Sequence, residues 1–386
     1  MKVNVAWSTE GNEEVAGKTC AKKAVLDLME TKIAFLYSSV KYDTEKLLNG
    51  VQSVMGTAPI IGATSRDGII VPDGYITSQG GYAGMLAIGD PDTKVTTAIT
   101  STSISPVEDG KKVAKRAMEK AGTKESPAYF MMIATPGNEE DFLKGIQDVI
   151  GDVPCFGGTA SDDDLSGQWR IYTEEGIVDD GVAVAFFYTN KKMQNIIDGK
   201  YHETIHSGIV TAMTGERELD EINGIQALKQ YAEWTNNKVK DLKGSKLFNK
   251  SILEPIGVKN SNNFIILRHP INGNTDYSIN LSNDMYINTA VIHMQCTKGE
   301  MINAPHLIAR ELNKKTDNQS AFYIINHSAD RKEIIEGNLN DIAKKIKDEI
   351  GDIPFIMPFT YGEYGRNNHS TNLCGSLMIS EVAICK

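Results

Sequence analysis

Three times along the chain an apolar run gives way to an amphipathic stretch, a second apolar run and an abrupt polar turn. The first runs are "TKIAFLYSS" (31–39), "PAYFMMIAT" (127–135) and "SAFYIINHS" (320–328). Each is almost wholly apolar and ends in hydroxyl or amide residues, the pattern of a strand buried on both faces of a parallel sheet. The amphipathic stretches carry apolar residues at helical spacing: Phe142, Leu143, Ile146, Val149 and Ile150 in the second, Leu339, Ile342, Ile346 and Ile350 in the third. They close on Gly56, Gly151 and Gly351, where a helix C-terminus favours glycine. A proline then opens the second apolar run and its turn in "TAPIIGATSRDG" (57–68), "DVPCFGGTASDD" (152–163) and "DIPFIMPFTYGE" (352–363). A further helical stretch precedes each unit: "EVAGKTCAKKAVLDLM", "EDGKKVAKRAMEKA" and "APHLIARELNKK". The chain therefore repeats a helix, strand, helix, strand, turn, strand unit.

Short strand–helix–strand connections imply parallel pairs, so the expected fold is α/β, in two domains built from these units. The first domain is predicted over 1–193, with copies at about 1–100 and 101–190, ending in "GVAVAFFYT" (181–189). The polar, lysine-rich "NKKMQNIIDGK" (190–200) reads as the boundary. The second domain, 194–386, holds the third copy at about 303–386. Ahead of that copy it carries the helix "IQALKQYAEWTNNKV" and extra antiparallel strands in "NFIILRHPI", "DYSINLS" and "MYINTAVIHMQCTKGE". In such sheets ligands bind outside the carboxyl ends of the strands, where the three polar turns fall.

Composition narrows the function. The chain has 386 residues, 41% hydrophobic and 23% charged, with a net charge of −10. An acidic balance argues against nucleic acid as the main partner. Hydrophobic runs stop short of the length a membrane span needs, and the start turns polar too soon for a secretory leader. Five scattered cysteines without a CxxC pair suit reduced thiols in a cytoplasm. The expectation is a cytoplasmic protein without membrane insertion.

Several phrases together are similar to a known family. "GIVTAMTGERELDEINGIQALKQY" (208–231) resembles the opening of a FIST C-terminal domain, "FIILRHPI" (264–271) its later strand with an arginine, and "PFTYGEYGRNNHSTNLCGSLMI" (358–379) its closing signature. "PIIGATSRDGII" and "PCFGGTASDD" resemble the two Gly-rich turns of a FIST N-terminal domain. The resemblance implies an intracellular sensory module that binds a small ligand such as an amino acid. With the three polar turns it leads to the expectation of a non-enzymatic sensor holding an amino acid or small carboxylate in a cleft between the domains, with a heme-binding gas sensor as an alternative. It also implies a signalling effector: a histidine kinase, a nucleotide cyclase or a chemotaxis component. No effector domain is recognisable in this sequence, so the effector is expected to be a separate partner. Some family members bind heme, for which His293 and His369 would be the residues to suspect; the expectation is no cofactor and no metal.

The candidate ligand-binding residues are Thr64, Ser65 and Arg66 in the first turn, Thr159, Ser161 and Asp162 in the second, and Tyr361, Glu363, Asn368, His369 and Thr371 around the third. Their hydroxyl, amide and carboxylate groups can line a polar cleft. Arg268, in the apolar "NFIILRHP", is the expected anchor for an anionic group, because its planar fork meets a carboxylate bidentately. A structural ion pair is the alternative. Glu363 would hold an α-amino group, or else be a solvated turn carboxylate. A hydrolase or transferase would use Glu363 or His369 as general base. The run "SDDDL" lacks the alternating ligands of a calcium loop, and Cys374 reads as a small buried hydrophobe.

Overall fold

The structure, a computed structural model, describes residues 1–259, 264–366 and 372–386. Its organising feature is a cyclic exchange of hairpins among three copies of one unit. The first copy runs strand Lys2–Ser8, helix Glu13–Ala24, strand Ile33–Ser38, helix Thr44–Met55, strand Ile60–Thr64, a hairpin of Ile69–Val71 and Gly74–Ile76, and strand Ala83–Gly89. The second repeats that order from Lys94–Ser101 to Gly181–Tyr188, with its hairpin at Ile171–Thr173 and Gly176–Val178. The third starts at Met193–Asp198 and resumes with helix Lys298–Lys315, strand Ser320–Ser328, helix Leu339–Ile350 and strand Phe355–Thr360. Its hairpin is Glu363–Arg366 and Asn372–Gly375, and its last strand is Ile379–Cys385.

Each copy makes a sheet of its own first, last, second and third strands, and completes it with another copy's hairpin. The second copy's hairpin pairs with Ile60–Thr64, the third copy's with Cys155–Thr159, and the first copy's with Phe355–Thr360. The result is three six-stranded sheets of identical order closed into a ring. Within each, the second and third strands run parallel, as Ala34 opposite Ile60, Phe130 opposite Cys155 and Tyr323 opposite Phe355 show.

Side-chain alternation explains why these strands read as continuous apolar runs. Ile33, Phe35 and Tyr37 point inward to a core shared by all three sheets, with Tyr129, Met131, Ile133, Phe322 and Ile324. Phe35 stacks on Phe187 at 6.4 Å and faces Phe322 at 6.3 Å. Burying such a ring contributes about 1.5–3 kcal/mol, so the common core ties the copies together. The alternate residues, such as Ala34 and Leu36, Phe130 and Met132, or Tyr323 and Ile325, point outward beneath each copy's helix pair. Gly62 lets the exchanged hairpin close: a Cβ there would strike the Leu36 carbonyl and the Tyr172 ring.

One sequence expectation gains detail and another changes. The lysine-rich stretch read as a boundary contains the strand Met193–Asp198, paired with Ile379–Cys385, because Ile196 and Ile197 have an apolar face to cover. The "TKGE" read as a strand end starts a helix instead: Thr297 and Glu300 form a capping box. Between Met193–Asp198 and that helix, the third copy carries a separate eight-stranded sheet, including His202–Thr214, Ile265–Arg268, Pro270–Gly273 and Ala290–Gln295, and the helix Ala227–Trp234. This inserted region has its own core around Leu219, Leu228 and Tyr231.

Candidate functional site

The exchange brings the three polar turns to one pole of the ring. Each turn donates a backbone N–H to the strand end of another copy: Ser161 to the Thr64 carbonyl at 3.2 Å, Tyr361 to Thr159 at 3.1 Å, and Arg66 to Phe359 at 3.3 Å. Thr64 accepts from Arg170 N at 3.0 Å, and Ser65 Oγ donates to Gly68 O and accepts from Phe359 N. Ser161 Oγ donates to Phe359 O, while the Thr159 and Tyr364 hydroxyls hydrogen-bond each other at 2.5 Å. Thr64, Ser65, Thr159 and Ser161 are all buried, so their chief task is to knit the turns together.

Asp162 is equally committed. Its carboxylate accepts from the N–H groups of Leu165, Gly167 and Gln168 at 2.7–2.9 Å and from Tyr361 Oη at 2.6 Å. Burial works against its charge, yet the Tyr361 hydroxyl and these N–H groups outweigh it and hold the carboxyl below its ordinary value. Glu363 goes the other way. It is wholly buried and accepts from Met378 N and Thr360 Oγ1 at 3.0 Å each. Burial pushes its carboxyl well above the usual range despite those bonds, and Glu363 is not a solvated turn carboxylate. Asn368, His369 and Thr371 lie outside the described residues.

Arg66 faces outward into a cleft of about 400 Å³, lined also by Asp67, Asp163, Lys332, Glu333 and Glu336. Its Nη2 meets Glu333 at 2.6 Å, and its Nη1 lies 3.9 Å from Asp330. Lys332 reaches back to Asp67 at 2.9 Å. Two ion pairs of opposite sense thus join the first turn to the segment after strand Ser320–Ser328. Burial disfavours both cations, but Glu333 and Asp330 keep Arg66, and Asp67 and Tyr75 keep Lys332, firmly charged.

Beneath them lies a group of residues that the pattern of turns did not reveal. In the third copy the strand end continues into the helix Ala329–Ile335, whose Asp330, Arg331 and Lys332 are buried. Asp330 Oδ2 meets Nδ1 of the fully buried His269 at 2.9 Å; the other nitrogen of that ring faces Phe248 O at 3.1 Å. His269 comes from the inserted sheet, so this contact joins the insertion to the ring. Arg331 is fully buried, with its guanidinium 5.6 Å from the Tyr201 ring centroid. Arg66 Nη1, His327 Nε2, Ser328 Oγ, Asp330 Oδ1 and Arg331 Nε and Nη2 have no hydrogen-bond partner among the described residues. Buried polar groups are ordinarily paired, so this concentration marks the pole as unusual. The sequence signal was the phrase "NHSADRK" (326–332), where the other copies have "YSSVKYD" (37–43) and "IATPGNE" (133–139).

Arg268 sits next to His269 but faces elsewhere. Its Nε donates to Asp284 O at 2.8 Å and its Nη1 to the carbonyls of Leu267 and Cys374 at 3.2 and 3.3 Å. It borders a separate groove with Glu140, Lys144, Gln147 and Asn372. Burial, only partly offset by Glu140, lowers its proton affinity. His293 lies in the inserted region between Thr204 and the rings of His206 and Tyr231, and burial lowers it to about 4. Cys374 is buried in strand Asn372–Gly375. Among the described residues no three His, Cys, Asp or Glu side chains gather as a metal site, and no helix is long and apolar enough to cross a membrane.

The FIST N domain matches residues 32–225 and the FIST C domain residues 227–366. No curated protein matches the sequence. Solved structures similar to this chain include phosphoribosylformylglycinamidine synthase II from Thermotoga maritima, at 8% identity and TM-score 0.22, covering 99% of this chain and 72% of that one. Another is T. maritima PurL complexed with FGAR, at 8% identity and TM-score 0.22, covering 99% and 73%. Likeness at that level carries no argument about either fold or function. The two domain matches together span most of the sequence, with their border inside the inserted region: the chain belongs to the FIST family of sensory domains, which places it in signal transduction.

Proposed function

We propose that the protein is a cytoplasmic, non-enzymatic sensor that binds a small molecule, an amino acid or small carboxylate, at the pole of the ring. The observation that carries this reading is the set of buried polar atoms of Asp330, Arg331, Ser328 and His327, without hydrogen-bond partners among the described residues, behind the cleft lined by Arg66 and Lys332. Cations there suit a carboxylate, while Asp330 Oδ1 suits an ammonium group. The site also lies where the inserted sheet touches the ring, through His269 and Asp330. A ligand that binds better to one arrangement of the insertion and the ring shifts the balance between them, which is all a sensor requires. The output passes to a separate effector of the histidine kinase, nucleotide cyclase or chemotaxis class. Binding fits better than turnover because the ionisable groups are tied down: Glu363 by Met378 N and Thr360, His269 by Asp330 and Phe248 O.

The test is a thermal-shift screen of the full chain against the standard amino acids and short mono- and dicarboxylates, with native mass spectrometry and a visible spectrum of fresh protein. A saturable rise in Tm with one class, or its co-purification, is expected. A heme absorption band, catalytic turnover of a bound compound, or no stabiliser among these classes would sink the reading.

A further inference from the structure

The cations of the pole can be matched with their carboxylates. Arg66 has Glu333, Lys332 has Asp67, and His269 has Asp330. Arg331 has none: no carboxylate of the described residues lies within ion-pair distance of it. Residues 260–263 and 367–371 contain no Asp or Glu, so the rest of the chain cannot supply one. Glu363, the buried acid of the third turn, is held by Met378 N and Thr360. Arg331 is therefore a wholly buried guanidinium without a counter-ion in its own chain, an arrangement proteins ordinarily avoid.

The pattern of occupied nitrogens is specific. Nη1 donates to Leu377 O at 3.3 Å. Nε and Nη2 are the two atoms without a partner among the described residues. These two N–H groups lie side by side on one edge of the guanidinium and point the same way, the edge that meets two oxygens of a planar anion in parallel hydrogen bonds. Tyr201 covers the guanidinium 5.6 Å away, and Ser328 Oγ, without a hydrogen-bond partner among the described residues, is available as a further donor.

We propose that Arg331 is the anion-recognition residue of this protein, holding the carboxylate of a small monocarboxylic ligand through Nε and Nη2, in place of the counter-ion the chain lacks. This rests on the sensor reading above and names the group that the ligand must carry. A planar monoanion is favoured over phosphate because it matches two parallel donors and adds one negative charge beside Asp330, where a dianion would add two.

The probe is sodium acetate, titrated into full-length protein labelled with 15N-arginine, with sodium chloride at matched ionic strength as control. One arginine Nε resonance, missing from Arg331→Lys, should shift saturably with acetate and not with chloride. Arg331→Lys keeps the charge and loses the fork, so its apparent affinity for acetate should fall at least tenfold. If Arg331→Lys does not fold, a crystal structure of the wild-type chain in acetate decides, and acetate on Nε and Nη2 is the expected result. An acetate-insensitive Nε resonance, a wild-type fork occupied only by water, or preferential binding of inorganic phosphate would overturn the proposal. The sensor reading fails separately, on a heme band, on catalytic turnover, or if no amino acid or carboxylate of any kind binds.

Discussion

The second and third copies end their polar segments in opposite ways. In the second copy Asp162 satisfies three backbone N–H groups and a tyrosine hydroxyl, and the turn is closed upon itself. In the third copy the strand Ser320–Ser328 runs into Asp330 and Arg331, and six polar atoms from Arg66 to Arg331 remain unpartnered among the described residues. The segments follow different strands of the unit, Asp162 the third strand of its copy and Asp330 the second strand of its own, and both lie at the same pole. Repetition of a polar motif therefore marks where the copies are knitted together, while departure from the repeat marks where a ligand can be held. The same distinction separates two arginines. Arg268 spends its donors on three carbonyls, whereas Arg331 spends one and keeps two.

The largest effect should come from breaking the satisfied side of this comparison. Asp162→Ala leaves three N–H donors without their acceptor and the Tyr361 hydroxyl with only the backbone carbonyl of residue 162, and should cost about 3–4 kcal/mol in urea unfolding. Because its folded carboxyl titrates below the unfolded value, Asp162 contributes stability above roughly pH 4 that disappears as pH falls through the folded value. The variant should lack that acid-side loss. A cost under about 1 kcal/mol would mean that the turn does not depend on Asp162. Arg268→Met comes next, at about 2–3 kcal/mol, since the Asp284 and Cys374 carbonyls lose a charged donor. Its effect on ligand affinity decides between the two arginines: loss of binding with the fold intact would make Arg268 the anchor and displace Arg331.

The hydrophobic pattern was enough to read the α/β class, the parallel strand pairs and the repeated unit, because a strand buried on both faces must be apolar throughout. It could not show the hairpin exchange. Local periodicity says that Ile69–Val71 is a strand but is silent about its partner, which proves to be Phe355–Thr360 almost the whole chain away. The site was legible only in part. Arg66 and Tyr361 stand at the pole as the turns suggested, and Thr64, Ser65, Thr159 and Ser161 are there as joints between copies. Arg331 escaped notice because "ADRKE" reads as an ordinary solvated helix; only tertiary packing buries it.

Glu363 offers a smaller and oppositely signed test. Its folded carboxyl titrates far above its unfolded value, so the unfolded chain gives up the proton first. Its contribution is complete below about pH 4 and falls as pH rises toward the folded value, by up to about 1.4 kcal/mol per unit. Glu363→Gln keeps the shape and removes the titration. Its stability should decline less steeply than wild type between pH 5 and 8, and equal slopes in chemical denaturation would show that Glu363 is ionised in the folded protein.

The smallest change in stability, with a distinct kinetic signature, is expected at the rim of the unsatisfied side. Arg66 pairs with Glu333, whose side chain is 40% exposed, so solvent screens the attraction. Arg66→Ala should cost less than about 1 kcal/mol. The same ion pair spans the cleft in front of Asp330, and removing it should ease passage in both directions. An increase of up to about fivefold in acetate exchange, read from the linewidth of the Arg331 Nε resonance, is what a barrier of ~1 kcal/mol allows. The Lys332–Asp67 pair would still hold the other side of the cleft, which is why exchange should quicken without the pole coming apart. Unchanged exchange would place the route to Arg331 elsewhere, and a loss above about 2 kcal/mol would make Arg66 a joint of the fold like Ser65 and Ser161.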